Sequence, residues 1–261
     1  MKNFCLVLAL ILSSNVFSQN KIIGKIVYKE VLSMIDGPTE NTFYLYFNPS
    51  ESIFIEEEDT VKHKDTEISQ DPDDPFHLSY VINHNSQIHY SIYTDLTNSK
   101  ILISDAIFED GQYNPVLVKD ETNFNWEIFN EFKDIGNFHC QKARTDFRGR
   151  TYTAWFTNEI PVRSGPWKFN SLPGIILEVY DDKSEVHFSA QSITIPYKDE
   201  LEQLPQIKIK GKELISLKEF VDRTDRLMDE IYSLMVTKLP RNAEVSIESV
   251  SIPAIELEYD F

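Results

Sequence analysis

An alternation of side-chain character with a period of two residues is the feature that most constrains this chain. In the range 150–157, threonine and tryptophan alternate with tyrosine, alanine and phenylalanine, and the β-branched run 175–180 and the alternating run 185–190 follow. Proline and glycine separate these runs at Pro161, at Gly165-Pro166 and at Leu172-Pro173-Gly174. In the last of these, proline fixes one φ angle and glycine is placed for the positive φ of a type II turn. The pattern predicts antiparallel strands joined by sharp turns.

The same alternation recurs along most of the chain. It predicts further strands at 21–34, 41–48, 52–57, 78–84, 87–94, 100–108, 116–119 and 126–129, and a last strand at 255–261. The range 105–111 is interpreted as a hairpin turn, and Gly136 as the turn within 132–143. A chain of this kind builds a mainly antiparallel sheet.

One helix is expected in the C-terminal half. Ser216 and Glu219 have the spacing of a capping box, and apolar residues then recur every three or four positions until Pro240. The fold expected is therefore a curved antiparallel sheet or half-open barrel, similar to lipocalins and lipoprotein carriers. One long helix would pack over its concave face and enclose an apolar pocket.

The first 18 residues have the form of a secretory signal peptide. One lysine precedes an apolar run, and small and polar residues follow it. The run is too short to cross a membrane, so the protein is not expected to be transmembrane. Residues 19–261 are expected to form a single β-rich domain that is periplasmic or secreted.

The formal net charge of −17 excludes some partners. A chain this acidic repels the phosphate backbone, so nucleic acid is not an expected partner. The sequence contains no G-x-S-x-G, H-E-x-x-H or glycine-rich phosphate loop. We therefore expect no cofactor, and an enzyme, for example a hydrolase, is the least favoured class.

The range 136–182 resembles the GLPGLI family of Bacteroidetes secreted proteins. The similarity rests on LPGIILEV, on GPWKFNS before it, and on CQKARTDFRGRTYTAWFTNEIP earlier. The motif residues are Leu172, Pro173, Gly174, Ile175 and Ile176. Ser171 stands where the family name has its first glycine, and Ile175 where it has its second leucine. The resemblance implies a secreted, β-rich protein, and it implies no particular reaction.

Five residues of this stretch are candidates for contact with a ligand or partner. Trp155 and Trp167 flank the Gly165-Pro166 turn, while Arg150 and Arg163 are basic residues in an acidic protein. Both arginines, and Arg148, could meet an acidic partner or pair with local carboxylates. Cys140 is unpaired once Cys5 leaves with the leader. It could be a buried apolar residue, a metal ligand beside His139, or part of an intermolecular disulfide.

These residues support two hypotheses about function. The first is a periplasmic binding or accessory protein, linked to outer-membrane transport or envelope biogenesis, that holds an apolar ligand or an outer-membrane or periplasmic protein. A filled interior would argue against the ligand. The alternative is a copper- or zinc-handling protein that uses Cys140, His139 and other histidines such as His84 and His89. No metal ligand set has a recognisable spacing, so no metal residue is assigned.

Overall fold

A computed structural model gives the fold of most of the chain. It describes residues 21–34, 37–57, 68–70, 78–80, 90–109, 112–198, 201, 203–207, 211–226 and 255–259. The strands within these ranges are β1 (Gly24–Met34), β2 (Gly37–Phe47), β3 (Glu51–Glu56), β4 (Ile68–Gln70), β5 (Leu78–Tyr80), β6 (Ser91–Asp95), β7 (Lys100–Glu109), β8 (Gln112–Glu121), β9 (Glu127–Ile135), β10 (Phe138–Phe147), β11 (Arg150–Thr157), β12 (Ile175–Asp181), β13 (Val186–Thr194) and β14 (Glu213–Ser216).

Twelve of these strands form one sheet that does not close on itself. Its order is β14-β8-β7-β6-β3-β2-β1-β13-β12-β11-β10-β9, and β4 and β5 form a separate pair. The pairings are antiparallel except for β14, which runs parallel to β8. Strand β1 pairs with β2 on one side and with β13 on the other. It therefore joins an earlier meander, β2 to β8, to a later one, β9 to β13.

Period-two alternation explains which face of the sheet is buried. In β1, Ile26 and Tyr28 are fully buried, whereas Lys25 and Lys29 on either side of them point to the opposite face. Tyr152 and Ala154 of β11 are buried in the same way. The predicted strands over 150–157, 175–180 and 21–34 are therefore confirmed.

The interior of the curved sheet is filled by the loop 158–174, which connects β11 to β12. The ring of Phe169 in this loop contacts Tyr152 of β11, Phe188 of β13, Phe124 of the β8–β9 connection and Trp167 of the loop itself. The hydroxyl of Ser164, also in the loop, donates to Ser52 of β3 at 2.8 Å, so the loop contacts both meanders. The loop therefore occupies the concave face on which a helix was expected.

The expected long helix is not confirmed. The described helix, α1, spans the ten residues 217–226, and the rest of the apolar stripe lies outside the described residues. Its start is as expected, because Ser216 Oγ accepts a hydrogen bond from the backbone N–H of Glu219 at 3.1 Å. Leu217 is buried, and Phe220 and Val221 pack against the core.

Two smaller expectations also change. Residues 255–259 are not in a strand, so the expected last strand is wrong over the part of the tail that the structure describes. Asp105 lies inside β7 rather than in a hairpin turn, because β7 continues to Glu109. Gly136 has a φ of 58° and forms the turn between β9 and β10, as expected.

Candidate functional site

The loop 158–174 needs glycine at two positions because its packing leaves no room for a side chain. A Cβ at Gly165 would lie 2.8 Å from Cβ of Ile176, and a Cβ at Gly174 would overlap the carbonyl oxygen of Thr157. Gly174 is not among the residues with positive φ. The type II turn expected at Leu172-Pro173-Gly174 is therefore wrong, and the glycine is required by close approach to the neighbouring backbone.

Positive φ angles occur instead at two residues that are not glycine. Trp167 has a φ of 53° and Ser171 a φ of 77°. Residues with a Cβ adopt this region at a cost of about 1–2 kcal/mol. The GLPGLI family name has glycine at the position of Ser171. A positive φ at this position is a physical reason for glycine there.

The other motif residues anchor the loop to the sheet. Leu172, Ile175 and Ile176 are buried in the main core, and Pro173 is exposed. The backbone N–H of Ile175 donates to the carbonyl of Ile160 at 3.0 Å. The motif therefore builds the core and the start of β12.

The five predicted contact residues do not form one site. Arg163 is exposed and donates from Nη2 to the carbonyl of Ser171 at 3.0 Å, whereas the other four are buried. Trp155 lies on the face of β11 opposite to Ala154, under the ammonium of Lys133 at 4.5 Å from the ring centre. Trp167 lies on the concave face, so the two tryptophans are separated by the sheet.

Arg150 is held by its own chain. Its Nη1 donates to Asp181 at 2.7 Å and to Glu185 at 2.5 Å, and its Nε donates to the carbonyl of Ile255 at 3.0 Å. Arg148 pairs with Asp120 in the same manner. Pairing with local carboxylates is therefore what both arginines do in this structure.

Cys140 is a buried thiol. Its Sγ contacts the carbonyl of Phe138 at 3.6 Å, and burial raises its pKa to about 11. His139 lies on the opposite face of β10, exposed, with Nδ1 2.9 Å from Asp134. The structure does not bring the two together, and the residues it describes hold no group of three or more His, Cys, Asp or Glu placed to bind a metal ion. His84 and His89 lie outside the described residues.

Two adjoining cavities lie at the end of the concave face near β6, β7 and β8. The inner cavity has a volume of about 190 Å³, and Tyr90, Asp105, Trp167, Phe220, Glu256 and Tyr259 contribute to its wall. The outer cleft has a volume of about 750 Å³, and Tyr93, Lys100, Leu102, Lys119, Arg148 and Lys218 contribute to its wall. Leu217 and Tyr259 line both, so the two spaces adjoin at these residues.

A buried ion network lies at this junction. Lys168 of the loop contacts Asp120 of β8 at 2.8 Å and Glu256 of the tail at 2.8 Å, and Arg148 contacts both carboxylates from the β10–β11 turn. The guanidinium and the ammonium outweigh burial and lower the pKa of Asp120. The network holds two cations and two carboxylates, so each buried charge in it faces a charge of opposite sign.

The tail 255–259 is held at the same place by backbone contacts. The carbonyl of Arg148 accepts hydrogen bonds from the N–H groups of Leu257 at 2.9 Å and Glu258 at 3.3 Å. Tyr152 donates from its hydroxyl to the carbonyl of Ile255 at 3.0 Å. Gly149, with a φ of 82°, leaves room for Leu257, because a Cβ there would lie 2.9 Å from Cβ of that leucine. The FRGR segment, residues 147–150, therefore helps to hold the tail in place through backbone hydrogen bonds and close packing.

Burial also perturbs two groups on the concave face. Burial raises the pKa of the Tyr90 phenol well above its usual value; the carboxylates of Asp105 and Glu256 raise it further, and a hydrogen bond with Trp167 opposes the rise. Burial raises the pKa of Glu30 on β1 to about 7. Perturbed groups near a cavity mark it as a candidate functional site.

Sequence reasoning named two of the residues that line this site, Trp167 and Arg148, and missed the others. Lys168 was within reach, because it lies beside Trp167 in the GPWKFNS segment that carries the family resemblance. Tyr90, Asp105 and Glu256 are brought together from β6–β7 and the tail by long-range contacts, for which the local sequence has no signal.

The fold and the cavities define the molecule as a mainly β protein with an open twelve-stranded sheet and a cavity on its concave face. A family model described as "Protein of unknown function (Porph_ging)" matches residues 147–178, which span β11, the loop and the start of β12. The match falls within the range that resembles the GLPGLI family, and that name stays a prediction. No curated protein matches the chain.

The fold is similar to that of PNGF-II, which is solved in two crystal forms. The C2 form aligns with a TM-score of 0.51 at 14% identity and the P21 form with 0.52 at 12%, over 78% and 79% of this chain. The aligned part is 33% of the PNGF-II chain in both cases, so this chain spans about a third of that protein. At this identity the similarity shows the fold alone. Among the described helical residues, none forms a segment long and apolar enough to cross a membrane.

Proposed function

We propose that this chain is a periplasmic or secreted binding protein that holds a small ligand at the inner cavity and the outer cleft. The observation that carries the proposal is the convergence of aromatic and charged side chains on these two adjoining spaces. Ligand sites in proteins are concave and combine apolar walls with a few placed polar groups. An accessory role in outer-membrane transport or envelope biogenesis fits the leader, the single β-rich domain and the GLPGLI resemblance.

The ligand site lies at one end of the concave face and not in its middle, where a lipocalin-like pocket would be. The loop 158–174 fills the middle of the concave face, so a large apolar molecule has no room there. The two spaces described above lie at the end formed by β6, β7 and β8, and polar groups such as Asp105 and Glu256 line the inner one. The role of a small-ligand binding protein is therefore better supported than that of an apolar carrier.

The metal-handling alternative has less support from the geometry. Cys140 and His139 lie on opposite faces of β10, and burial keeps the thiol protonated. Binding of a transition metal needs the thiolate. We therefore propose the small-ligand role in preference to it.

Native mass spectrometry of the protein, taken gently from its own cells, tests the proposal. We expect an additional mass that is lost on denaturation. The variant Leu102→Trp fills the outer cleft from a half-buried position on β7, and it should reduce the fraction that carries this mass. Ile128→Trp is the matched control, because Ile128 is 46% exposed on β9 and lines neither space.

A wild-type mass equal to that of the polypeptide alone would overturn the small-ligand role and direct the search to a partner protein. An additional mass that Leu102→Trp and Ile128→Trp retain equally would place the ligand elsewhere on the molecule.

A further inference from the structure

We propose that the inner cavity binds a compact organic cation, an alkylammonium or quaternary ammonium group. This inference rests on the proposed function, because it names the chemical class of ligand for the same site. Three properties of the cavity wall carry it: its aromatic rings, its carboxylates and its size.

The aromatic rings form much of the wall. Four aromatic side chains line the inner cavity: Tyr90 directly before β6, Trp167 of the loop, Phe220 of α1 and Tyr259 of the tail. The face of an aromatic ring carries negative electrostatic potential and attracts a cation within about 6 Å. Several rings around one small space are the arrangement by which proteins bind quaternary ammonium groups.

The charges on the wall also favour a cation. Among the described residues of the inner wall, the charged ones are Asp105, Glu256 and Lys168. The ammonium of Lys168 already contacts Glu256 at 2.8 Å and Asp120 at 2.8 Å. Lys168 and Arg148 balance Asp120 and Glu256 in the ion network, and Asp105 adds one negative charge to the described part of the wall. This balance favours a cationic ligand over an anionic one.

The outer cleft carries charges of both signs. Its described lining has four basic residues, Lys100, Lys119, Arg148 and Lys218, and three acidic ones, Asp95, Asp120 and Glu121. This mixture suits a polar remainder of the ligand, with the cationic end in the inner cavity. The net charge of −17 raises the local concentration of cations around the whole protein.

The size of the cavity limits the cation. Its volume of about 190 Å³ is smaller than that of most sites for drug-sized ligands, which hold about 300–1,000 Å³. A trimethylammonium group with a short chain is compact enough, and choline is a suitable probe.

Isothermal titration with three ligands of the same shape tests the proposal. Choline carries the cation, 3,3-dimethylbutanol replaces its nitrogen by carbon, and 3,3-dimethylbutanoate carries a negative charge. We expect choline to bind at least about tenfold more tightly than the neutral alcohol, since the electrostatic attraction to the rings and carboxylates is absent in the alcohol. Quenching of tryptophan fluorescence should accompany binding, because Trp167 lines the cavity.

Two variants locate the binding. Asp105→Asn removes one charge from the inner cavity at nearly constant volume, and it should weaken choline about tenfold without changing the affinity for the alcohol. Glu121→Gln removes a carboxylate from the outer cleft, which is outside the inner wall, and it should leave the choline affinity unchanged.

The outcomes separate this inference from the proposed function. Equal binding of choline and 3,3-dimethylbutanol, tighter binding of the carboxylate, or an equal effect of the two variants overturns the cation assignment and leaves a small-ligand site in place. Absence of choline binding also overturns it, and native mass spectrometry then decides the proposed function separately: a mass lost on denaturation retains that function, and a bare mass removes it.

Discussion

The ammonium of Lys168 lies 2.8 Å from Oδ2 of Asp120, and neither side chain is more than 3% exposed. Lys168 belongs to the loop 158–174 between β11 and β12, whereas Asp120 lies on β8, near the other edge of the sheet from β11. The ion pair therefore links the two meanders across the concave face. Removal of one partner from a buried pair leaves the other charge without compensation.

Lys168→Met should destabilise the protein by about 3–5 kcal/mol, because Asp120 and Glu256 would lose the ammonium that they share. The free energy of unfolding from guanidinium denaturation measures the loss. Lys29→Met is the matched control: Lys29 pairs with Glu40 at 2.7 Å on the surface, and its removal should cost about 0–1 kcal/mol. Similar losses for the two variants would show that the buried network does not link the meanders.

Ser171→Gly should stabilise the protein by about 1 kcal/mol. Serine at a φ of 77° carries the strain of a left-handed backbone, and glycine adopts this region freely. The serine hydroxyl donates to Asn170 at 2.5 Å, so the gain is reduced by the loss of that hydrogen bond. Ser171→Ala loses the same bond and retains the strain, so it should not stabilise. Thermal unfolding of both variants checks this, and a lower Tm for Ser171→Gly than for Ser171→Ala would contradict it.

Gly174→Ala should lower the free energy of unfolding by about 3 kcal/mol or more. The added Cβ would overlap the backbone of Thr157, which cannot move aside as a flexible side chain could. Gly136→Ala provides the comparison. Gly136 has a φ of 58°, and a Cβ added there would meet no atom within 4 Å, so alanine meets backbone strain alone, about 1 kcal/mol. The two free energies of unfolding, measured in urea, should differ by about 2 kcal/mol; a larger loss for Gly136→Ala would disprove the steric explanation.

The strands were predictable because their signal is local. Two residues apart on β11, Tyr152 and Ala154 face the same side whatever surrounds them, so alternation in the sequence identifies the strand. The turn at Leu172-Pro173-Gly174 has a local signal as well, but its geometry does not follow from it. Contact between Gly174 and the backbone of Thr157 decides that geometry, and this contact depends on the packing of β12 beside β11.

The filling of the interior was not predictable for the same reason. Proline and glycine mark 158–174 as a connection, and connections usually run over the surface. This one is buried because it packs against strands of both meanders, through Phe169 against Phe188 of β13 and Ser164 against Ser52 of β3, and the placement of these strands depends on the whole sheet. The ion network likewise joins Asp120 to Arg148 and Lys168, which are distant in the sequence. Charge spacing therefore gives no signal for it.

Cys140 should react slowly with an aromatic disulfide reagent. Its thiol is buried and its pKa is raised to about 11, so the reactive thiolate is scarce at neutral pH. The rate of thiol release, followed by absorbance, should rise by orders of magnitude in denaturant. Gln191→Cys adds an exposed thiol on β13 as an internal control that reacts at once. Equal rates for the two thiols in the folded protein would contradict the burial of Cys140.

Glu30 should make the protein less stable as the pH rises from about 4.5 to about 7. Burial raises its pKa in the folded state from 4.5 to about 7, a carboxylate of Glu56 adds to the rise, and the hydrogen bond from Asn41 at 2.9 Å opposes it. The folded protein therefore holds this proton more tightly than the unfolded chain does. Its contribution to stability is complete below pH 4.5, is lost through pH 7, and is constant above.

Glu30→Gln removes this titration and retains the side-chain volume and the acceptor for Asn41. The free energy of unfolding of the variant minus that of the wild type should increase by about 3 kcal/mol between pH 4.5 and pH 8, because the other groups titrate alike in both proteins. Glu131→Gln, at an exposed carboxylate on β9, should show no such change. A difference between Glu30→Gln and the wild type that stays constant with pH would mean that Glu30 is ionised in the folded protein throughout this range, and that the end of the concave face near β1 is wetter than its 5% exposure implies.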